Sequence, residues 1–285
     1  MLLSILLIIL VSGLFLWWLL IVTEGVYLGR GVVIWLYDVY ARRYDGIKDL
    51  EPDFEAAFLA RPLLDELDGY RAPLVLDVAT GTGRLPKSLF EEVDFHGKVT
   101  GIDLSRKMLS IAGQKLRYEI DRQHLHLMHT PAETIPFLAD YFDVVTCLEA
   151  LEFMVSPKKV LAEIVRVVRP GGIILLTNRQ GRDASLMPAK TQSHERFQVM
   201  LENEFKLEEV RIDRWQEDYV LVWAIKPPVN GGTPRGAQML GEYWRCRRCG
   251  ETAMVQAEGE WRCEHCGLVV PIGKDGVIEL HGVKI

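Results

Sequence analysis

The chain has 285 residues, with 33 Lys and Arg against 39 Asp and Glu and a formal net charge of −6. That length accommodates one medium-sized domain with additions, and the acidic balance argues against a nucleic-acid partner, whose footprint would be a basic excess. Four of the five cysteines fall between positions 246 and 266 while Cys147 stands alone in an apolar run, which reads as one metal site plus a buried thiol in a reducing compartment rather than a disulfide framework.

The first element is "LLSILLIILVSGLFLWWLLIV", the 21 uncharged residues from Leu2 to Val22, long enough to cross a hydrocarbon core as a helix. A cleaved signal peptide would show a preceding basic region, a shorter apolar core and a small-residue cleavage site. None is present, so residues 1–23 read as a retained, single-pass anchor in the cell membrane. The first basic residues, Arg30, Arg42, Arg43 and Lys48, all follow the span, which places the remainder in the cytoplasm. Residues 24–50 interleave Tyr27, Val33, Trp35, Leu36, Tyr37 and Tyr40 with charges, the pattern of an interfacial helix or of an ordinary core-facing one.

From position 51 to about 228 the pattern becomes that of a folded domain. Phe54, Phe58, Leu59, Leu63, Leu64 and Leu67 recur at helical spacing, and Pro73 ends the run. Strands are predicted over 74–79, 98–104, 124–129, 142–148 and 172–178, with helices over 105–120 and 156–168, the latter ended by "RPGG". Such alternation implies an α/β fold with a parallel sheet and crossover helices. After a helix near 192–204, strands over 207–215 and 218–226 follow without a helix between them, an antiparallel hairpin at the sheet edge. The proline- and glycine-rich stretch 229–241 reads as a linker, and 242–285 as a separate small unit.

In an open parallel sheet, ligands bind beyond the carboxyl ends of the strands. The first such loop, in "VLDVATGTGRLP", carries Gly81 and Gly83 but Pro86 where a dinucleotide fingerprint needs a third glycine. The second strand ends in "VTGIDLS", placing Asp103 where a carboxylate can accept from both ribose hydroxyls of an adenosine. The third is followed by "TPAETIPF", whose backbone at Ala132 and Glu133 suits an adenine edge.

These motifs, with "FDVVTCLEALEFM" and "VLAEIVRVVRPGGIILL", are in register with and resemble the class I S-adenosylmethionine-dependent methyltransferases over about residues 37–226. The resemblance implies a Rossmann-like seven-stranded sheet and S-adenosylmethionine as cofactor. It implies cofactor contacts from Asp77, Ala79, Thr80, Gly81, Thr82 and Gly83, from Asp103 and Leu104, from Ala132 and Glu133, and from Leu148. The family's first loop glycine is here Ala79, and the acidic residue that usually precedes the alanine of the third motif is here Pro131, so that adenine contact is either lost or supplied elsewhere, with Glu133 the candidate. "YDVYARRYDGI" is similar to the "YD-x-x-A-x-x-YD" helix of the ubiquinone and menaquinone methyltransferases, where an aromatic helix lids the cofactor.

Methyl transfer from a sulfonium depends largely on positioning and desolvation, so an obligatory catalytic side chain is not required. If the acceptor is an acidic hydroxyl or an enol carbon a general base helps, and Glu149, Glu152, His129 and Tyr44 are the candidates. "CRRCG" and "CEHCG" place Cys246, Cys249, Cys263 and Cys266 on two facing knuckles, the pattern of a zinc ribbon holding one structural Zn2+ through four thiolates. The favoured function is a membrane-anchored methyltransferase for a small apolar or lipid-like acceptor. An RNA or protein methyltransferase that selects its polymer with the ribbon, and a non-catalytic cofactor-binding scaffold, stand as alternatives.

Overall fold

The computed structural model describes residues 1–228 and 239–283. Most of the expected linker therefore lies outside the described residues. Helix α1 (Leu2–Trp17) buries none of its side chains and continues as a wider turn over Trp18–Val22. Only Leu19 of that turn is buried. The turn is tied to the body of the protein by the Trp18 indole, which donates to the Leu186 carbonyl at 3.1 Å, and the next turn, Val26–Leu28, by the Tyr27 hydroxyl, which donates to the Pro188 carbonyl at 2.7 Å. Helix α2 (Arg30–Tyr40) follows, with Leu36 turned inward while Trp35 and Val39 stay exposed.

The main sheet begins with β1 (Leu74–Val78), whose five residues are all buried, and continues with β2 (Lys98–Asp103), β3 (Leu125–His129), β4 (Phe142–Cys147), β5 (Val168–Arg179), β6 (Glu208–Arg214) and β7 (Tyr219–Ile225). Continuous Val, Leu and Ile runs form the central strands because both sheet faces are covered. The crossover helices are α3 (Arg84–Glu91), α4 (Arg106–Lys115) and α5 (Pro157–Val167), and α6 (His194–Asn203) precedes the final hairpin. Helix α5 starts with Pro157 at its first position, where the missing N–H costs nothing. It buries Val160, Leu161, Ile164 and Val167 along one stripe.

Every sequence-predicted strand appears, with two differences at element ends. The helix expected over 105–120 breaks at Leu116 and resumes over Arg117–Asp121. Strand β5 starts at Val168, directly after α5, because "RPGG" is absorbed as an irregularity: Phe142 pairs with Val168, yet Val144 already pairs with Ile173. The hairpin is as expected, antiparallel, with β6 at the edge and β7 between β6 and β5.

The larger difference is at the other edge. The cysteine-bearing segment forms a small antiparallel sheet, β8 (Met254–Ala257), β9 (Glu260–Cys263) and β10 (Val269–Pro271). It then sends β11 (Val277–Ile278) to pair in parallel with β3 through Val277–Leu127 and Ile278–Met128. Among the described residues the sheet therefore has eight strands, in the order β11-β3-β2-β1-β4-β5-β7-β6, rather than seven. The segment from 242 onward is not a separate unit. Tyr243, Trp244, Trp261, Val270 and Leu280 belong to one apolar cluster with Leu76, Val145 and Ile174. Without β11, β3 would be an edge with unpaired backbone groups, and a module this small cannot build a core alone.

Candidate functional site

A cavity opens at the carboxyl ends of β1, β2 and β4, where loops and helix starts converge. Ala79, Gly81, Asp103, Leu104, Ala132, Glu133, Leu148, Glu149 and Tyr44 line it, as do residues that sequence reasoning did not select: Arg30, Val33, Ile34, Tyr37, Ser105, Met108, Thr130 and Phe153. They lie beside the motifs or on a helix whose sequence reads as interfacial or core-facing and, through the YD pattern that includes Tyr37, as a cofactor lid.

The loop after β1 folds back on itself through three left-handed residues, Ala79 (φ 60°), Gly81 (φ 54°) and Gly83 (φ 80°). A Cβ at Gly83 would sit 2.8 Å from Leu116 Cδ1, so this glycine packs the loop against the region where α4 ends. A Cβ at Gly81 would meet nothing within 4 Å and would project into the open space of the cavity. The two glycines thus differ in purpose: one is for packing, the other keeps the cavity wall free for a ligand.

Asp103 ends β2 with its carboxylate held in place by the backbone: the Gly81 N–H donates to Oδ2 at 2.9 Å and the Ser105 N–H to Oδ1 at 2.7 Å. Each oxygen keeps lone pairs for ligand hydroxyls. Burial raises its pKa, against the pull of those backbone bonds. Asp77 lies behind the cavity wall, where Thr146 Oγ1 donates to Oδ1 at 2.6 Å, and burial pushes its carboxyl up to about 6. Thr80, Thr82, Gly83 and Asp77 do not line the cavity and act on its shape from outside it.

Residues 24–48 close the site through the YD pattern. Its tyrosines, Tyr37 and Tyr44, line the cavity with ring centroids 6.1 Å apart. Its aspartates grip the flanking loops. Ser105 Oγ donates to Asp38 at 2.6 Å, and Thr82 Oγ1 to Asp45 at 2.5 Å, where Lys115 also binds at 2.6 Å. Arg30 pairs with Glu133, so the carboxylate proposed to meet an adenine already has a cationic partner.

The four candidate bases separate cleanly. Glu149 lines the cavity, but it is bound by Lys48 at 2.5 Å and Arg84 at 2.5 Å. Burial alone would raise its pKa; these two cations outweigh it and hold the carboxyl below the ordinary range, so Glu149 is a fixed anion and a weak base. Tyr44 faces the cavity with burial pushing its phenol upward, away from ionisation. Glu152 lies outside, buried and accepting from the Tyr219 hydroxyl, with Arg179 3.7 Å away. His129 is turned toward the C-terminal module, its Nδ1 3.2 Å from Glu279 and its Nε2 3.1 Å from the Leu104 carbonyl. Neither belongs to the cavity wall. Cys147 is fully buried, and burial raises its thiol pKa, as an inert structural thiol requires.

The four C-terminal cysteines do converge: one sulfur from each lies within 4.8 Å of the others, on the turns ending in Gly250 (φ 82°) and Gly267 (φ 73°). This group of four thiols suits tetrahedral coordination. Arg247, inside the first knuckle, reaches out of the module and donates to Thr130 Oγ1 at 2.9 Å, a residue of the cavity wall. The Arg245 N–H bonds the Pro136 carbonyl at 2.9 Å and the Leu138 N–H the Tyr243 carbonyl at 3.0 Å. Residues 130–138, the loop between β3 and β4, are therefore clasped by the cysteine module.

Residues 76–176 match a family model described as "Methyltransferase domain". A demethylmenaquinone methyltransferase from Oceanobacillus iheyensis is 42% identical over 100 residues, covering 35% of this chain and 42% of that protein. A ubiquinone/menaquinone biosynthesis C-methyltransferase from Yersinia enterocolitica is 30% identical over 147 residues, covering 52% and 59%. The chain spans about half the length of the curated relatives it matches. Among solved structures, a SAM-dependent methyltransferase from Aquifex aeolicus shares the fold with a TM-score of 0.53 at 22% identity, covering 66% of this chain and 97% of that one.

Proposed function

We propose that this protein is an S-adenosylmethionine-dependent methyltransferase, held at a membrane by Leu2–Val22, that methylates a quinone-type amphiphile. The observation that carries the reading is the cavity at the strand ends, where Asp103, Gly81 and the two lid tyrosines meet close to the end of the apolar helix. The names of the partial relatives support the acceptor class.

S-adenosylmethionine supplies an electrophilic methyl group on a cationic sulfur. The residues present fit it: Asp103 has lone pairs left for two ribose hydroxyls, Gly81 leaves room for close approach, and Leu104, Met108 and Leu148 offer apolar surface for a flat base. Asp103 places a carboxylate on the cavity wall, which favours a cationic ligand. Tyr37, Tyr44 and Phe153 exclude water, and the paired aspartates Asp38 and Asp45 keep the lid seated. With Glu149 held as an anion by Lys48 and Arg84, rate acceleration rests on orientation and a dry, preorganised pocket rather than on a strong base at that position. We assign the four cysteines to one structural Zn2+.

The test is the full chain reconstituted in vesicles with methyl-labelled cofactor and prenylated quinols. Label in the lipid phase supports the reading; label in added RNA or protein, with none in lipid, overturns it.

A further inference from the structure

Helix α2 has two unlike faces. Arg30, Val33, Ile34 and Tyr37 line the cavity, so this face is the inside of the lid. Trp35 and Val39, one turn apart on the other side, are 58% and 54% exposed, and Leu28, just ahead of the helix, is 46% exposed. Large apolar side chains grouped at a surface mark a place where something docks. The helix runs out into a cationic cluster. Arg42 and Arg43 are exposed, and Lys107 of α4 shares a surface depression with Arg42 and Val39. Among the described residues the side chains of these three cations make no ion pair or hydrogen bond. The acid in that depression, Asp38, is already engaged by Ser105 Oγ and by the Lys107 N–H. Residues 25–44 hold three arginines against that one aspartate, in a chain of net charge −6.

We propose that the outer face of α2 is a docking surface for an anionic bilayer, and that lipid bound there holds the lid shut over the cofactor. The proposal rests on the anchored-methyltransferase reading and deepens it, because it names what regulates the site. Continuity with the apolar span favours lipid as the occupant. Soon after Val22 the chain turns at Gly25 (φ 71°), where a Cβ would lie 2.7 Å from Val32 Cγ1, so the turn packs directly on α2. Trp18, at the start of the span's last turn, stacks on Tyr27 with ring centroids 5.4 Å apart. The lid thus sits at the end of the helix proposed to cross the membrane. There a tryptophan at the interface and basic side chains beside anionic headgroups are both favourable. A second copy of this chain is a poor occupant, because a two-fold contact through this face would bring the unpaired arginines of both copies together. Coupling to the site follows from position. A bilayer that covers Trp35 and Val39 restrains the same helix that carries Tyr37 on the cavity wall and Asp38 on Ser105.

The test places the full chain in nanodiscs of phosphatidylcholine alone or of an equal mixture with phosphatidylglycerol, and measures S-adenosylhomocysteine affinity and amide hydrogen exchange. In the anionic discs the Kd should be about fivefold lower, the factor that one arginine beside an anionic surface supplies. Exchange over 30–40 should slow in the same discs, and raised salt should erase both differences. In the triple variant Trp35→Ser, Arg42→Gln, Arg43→Gln, the Kd should be the same in both discs and equal to that of the unaltered protein in the neutral ones. If the unaltered protein binds S-adenosylhomocysteine equally well in the two discs, the coupling is overturned while the enzyme reading stands. If exchange over 30–40 is also equal, the docking falls too, and the face belongs to a protein partner. If the variant binds more weakly than the unaltered protein in neutral discs, these side chains serve the fold and the inference falls. If the unaltered protein binds S-adenosylhomocysteine in neither disc, the methyltransferase reading falls with it.

Discussion

Unfolding the cysteine module, by stripping the Zn2+ proposed for it, is expected to cost the main sheet as well as the module. Tyr243, Trp244, Val277, Ile278 and Leu280 are each at most 2% exposed, and burial of a large apolar side chain is worth about 1.5–3 kcal/mol. Some 8–15 kcal/mol of gross burial thus depends on the module staying folded, a sum on the scale of a whole domain's net stability, before the entropy of ordering the segment is set against it. Losing it would also unpair β3 from β11 and uncover Phe137, Tyr141 and Phe142, which pack on Tyr243 with ring centroids 4.6–5.5 Å apart. The single substitution Trp244→Ala should cost about 3–5 kcal/mol, and chelation or Cys263→Ser at least as much. For a chain of this size about 1 kcal/mol corresponds to about 2–4 °C, so the thermal transition should fall by about 6–20 °C. Near-ultraviolet dichroism with and without chelator would follow it. Calorimetric titration of S-adenosylhomocysteine would report the cavity, since Arg247 clasps Thr130. Two separate transitions, the upper one unmoved by chelator and cofactor affinity unchanged, would refute the coupling.

The remaining predictions concern the cavity. Asp103→Ala should weaken S-adenosylhomocysteine binding by about 1–3 kcal/mol, and Gly81→Val more, because a β-branched residue is strained at φ 54° and fills the open wall; unchanged affinity in both would remove the cofactor assignment. Asp38→Ala together with Asp45→Ala should unseat the lid, raising that Kd severalfold while the melting temperature moves little, and a large loss of melting temperature would show the aspartates to be structural instead. For Asp77, a folded-state pKa raised to about 6 from an ordinary 3.8 means that its contribution is fully present below about pH 4 and is lost as pH rises through 6. Between pH 4 and 7 the unaltered protein should lose about 2–3 kcal/mol relative to Asp77→Asn, measured by urea unfolding; parallel pH profiles would show that Asp77 is not strained by burial.

The sequence by itself determined the alternation of strands and helices, the glycine-rich turn, the position of Asp103 and the pairing of cysteine knuckles, because each is carried by local periodicity or by short spacings along the chain. The apolar run Leu2–Val22 is legible for the same reason. Only the tertiary structure decided which chemistry-bearing groups share a space. Glu149 and Glu152 are three residues apart, yet one faces the cavity between Lys48 and Arg84 and the other turns away to Tyr219 and Arg179, because the left-handed backbone at Glu149 (φ 49°) and the tight helical turn over Leu151–Phe153 break the alternation of a strand. The same holds for the last forty residues. Their proline- and glycine-rich approach reads as a tether to an independent module. Two residues at Val277–Ile278 are too short to announce a strand, and it is β3's open edge, a property of the assembled sheet, that recruits them.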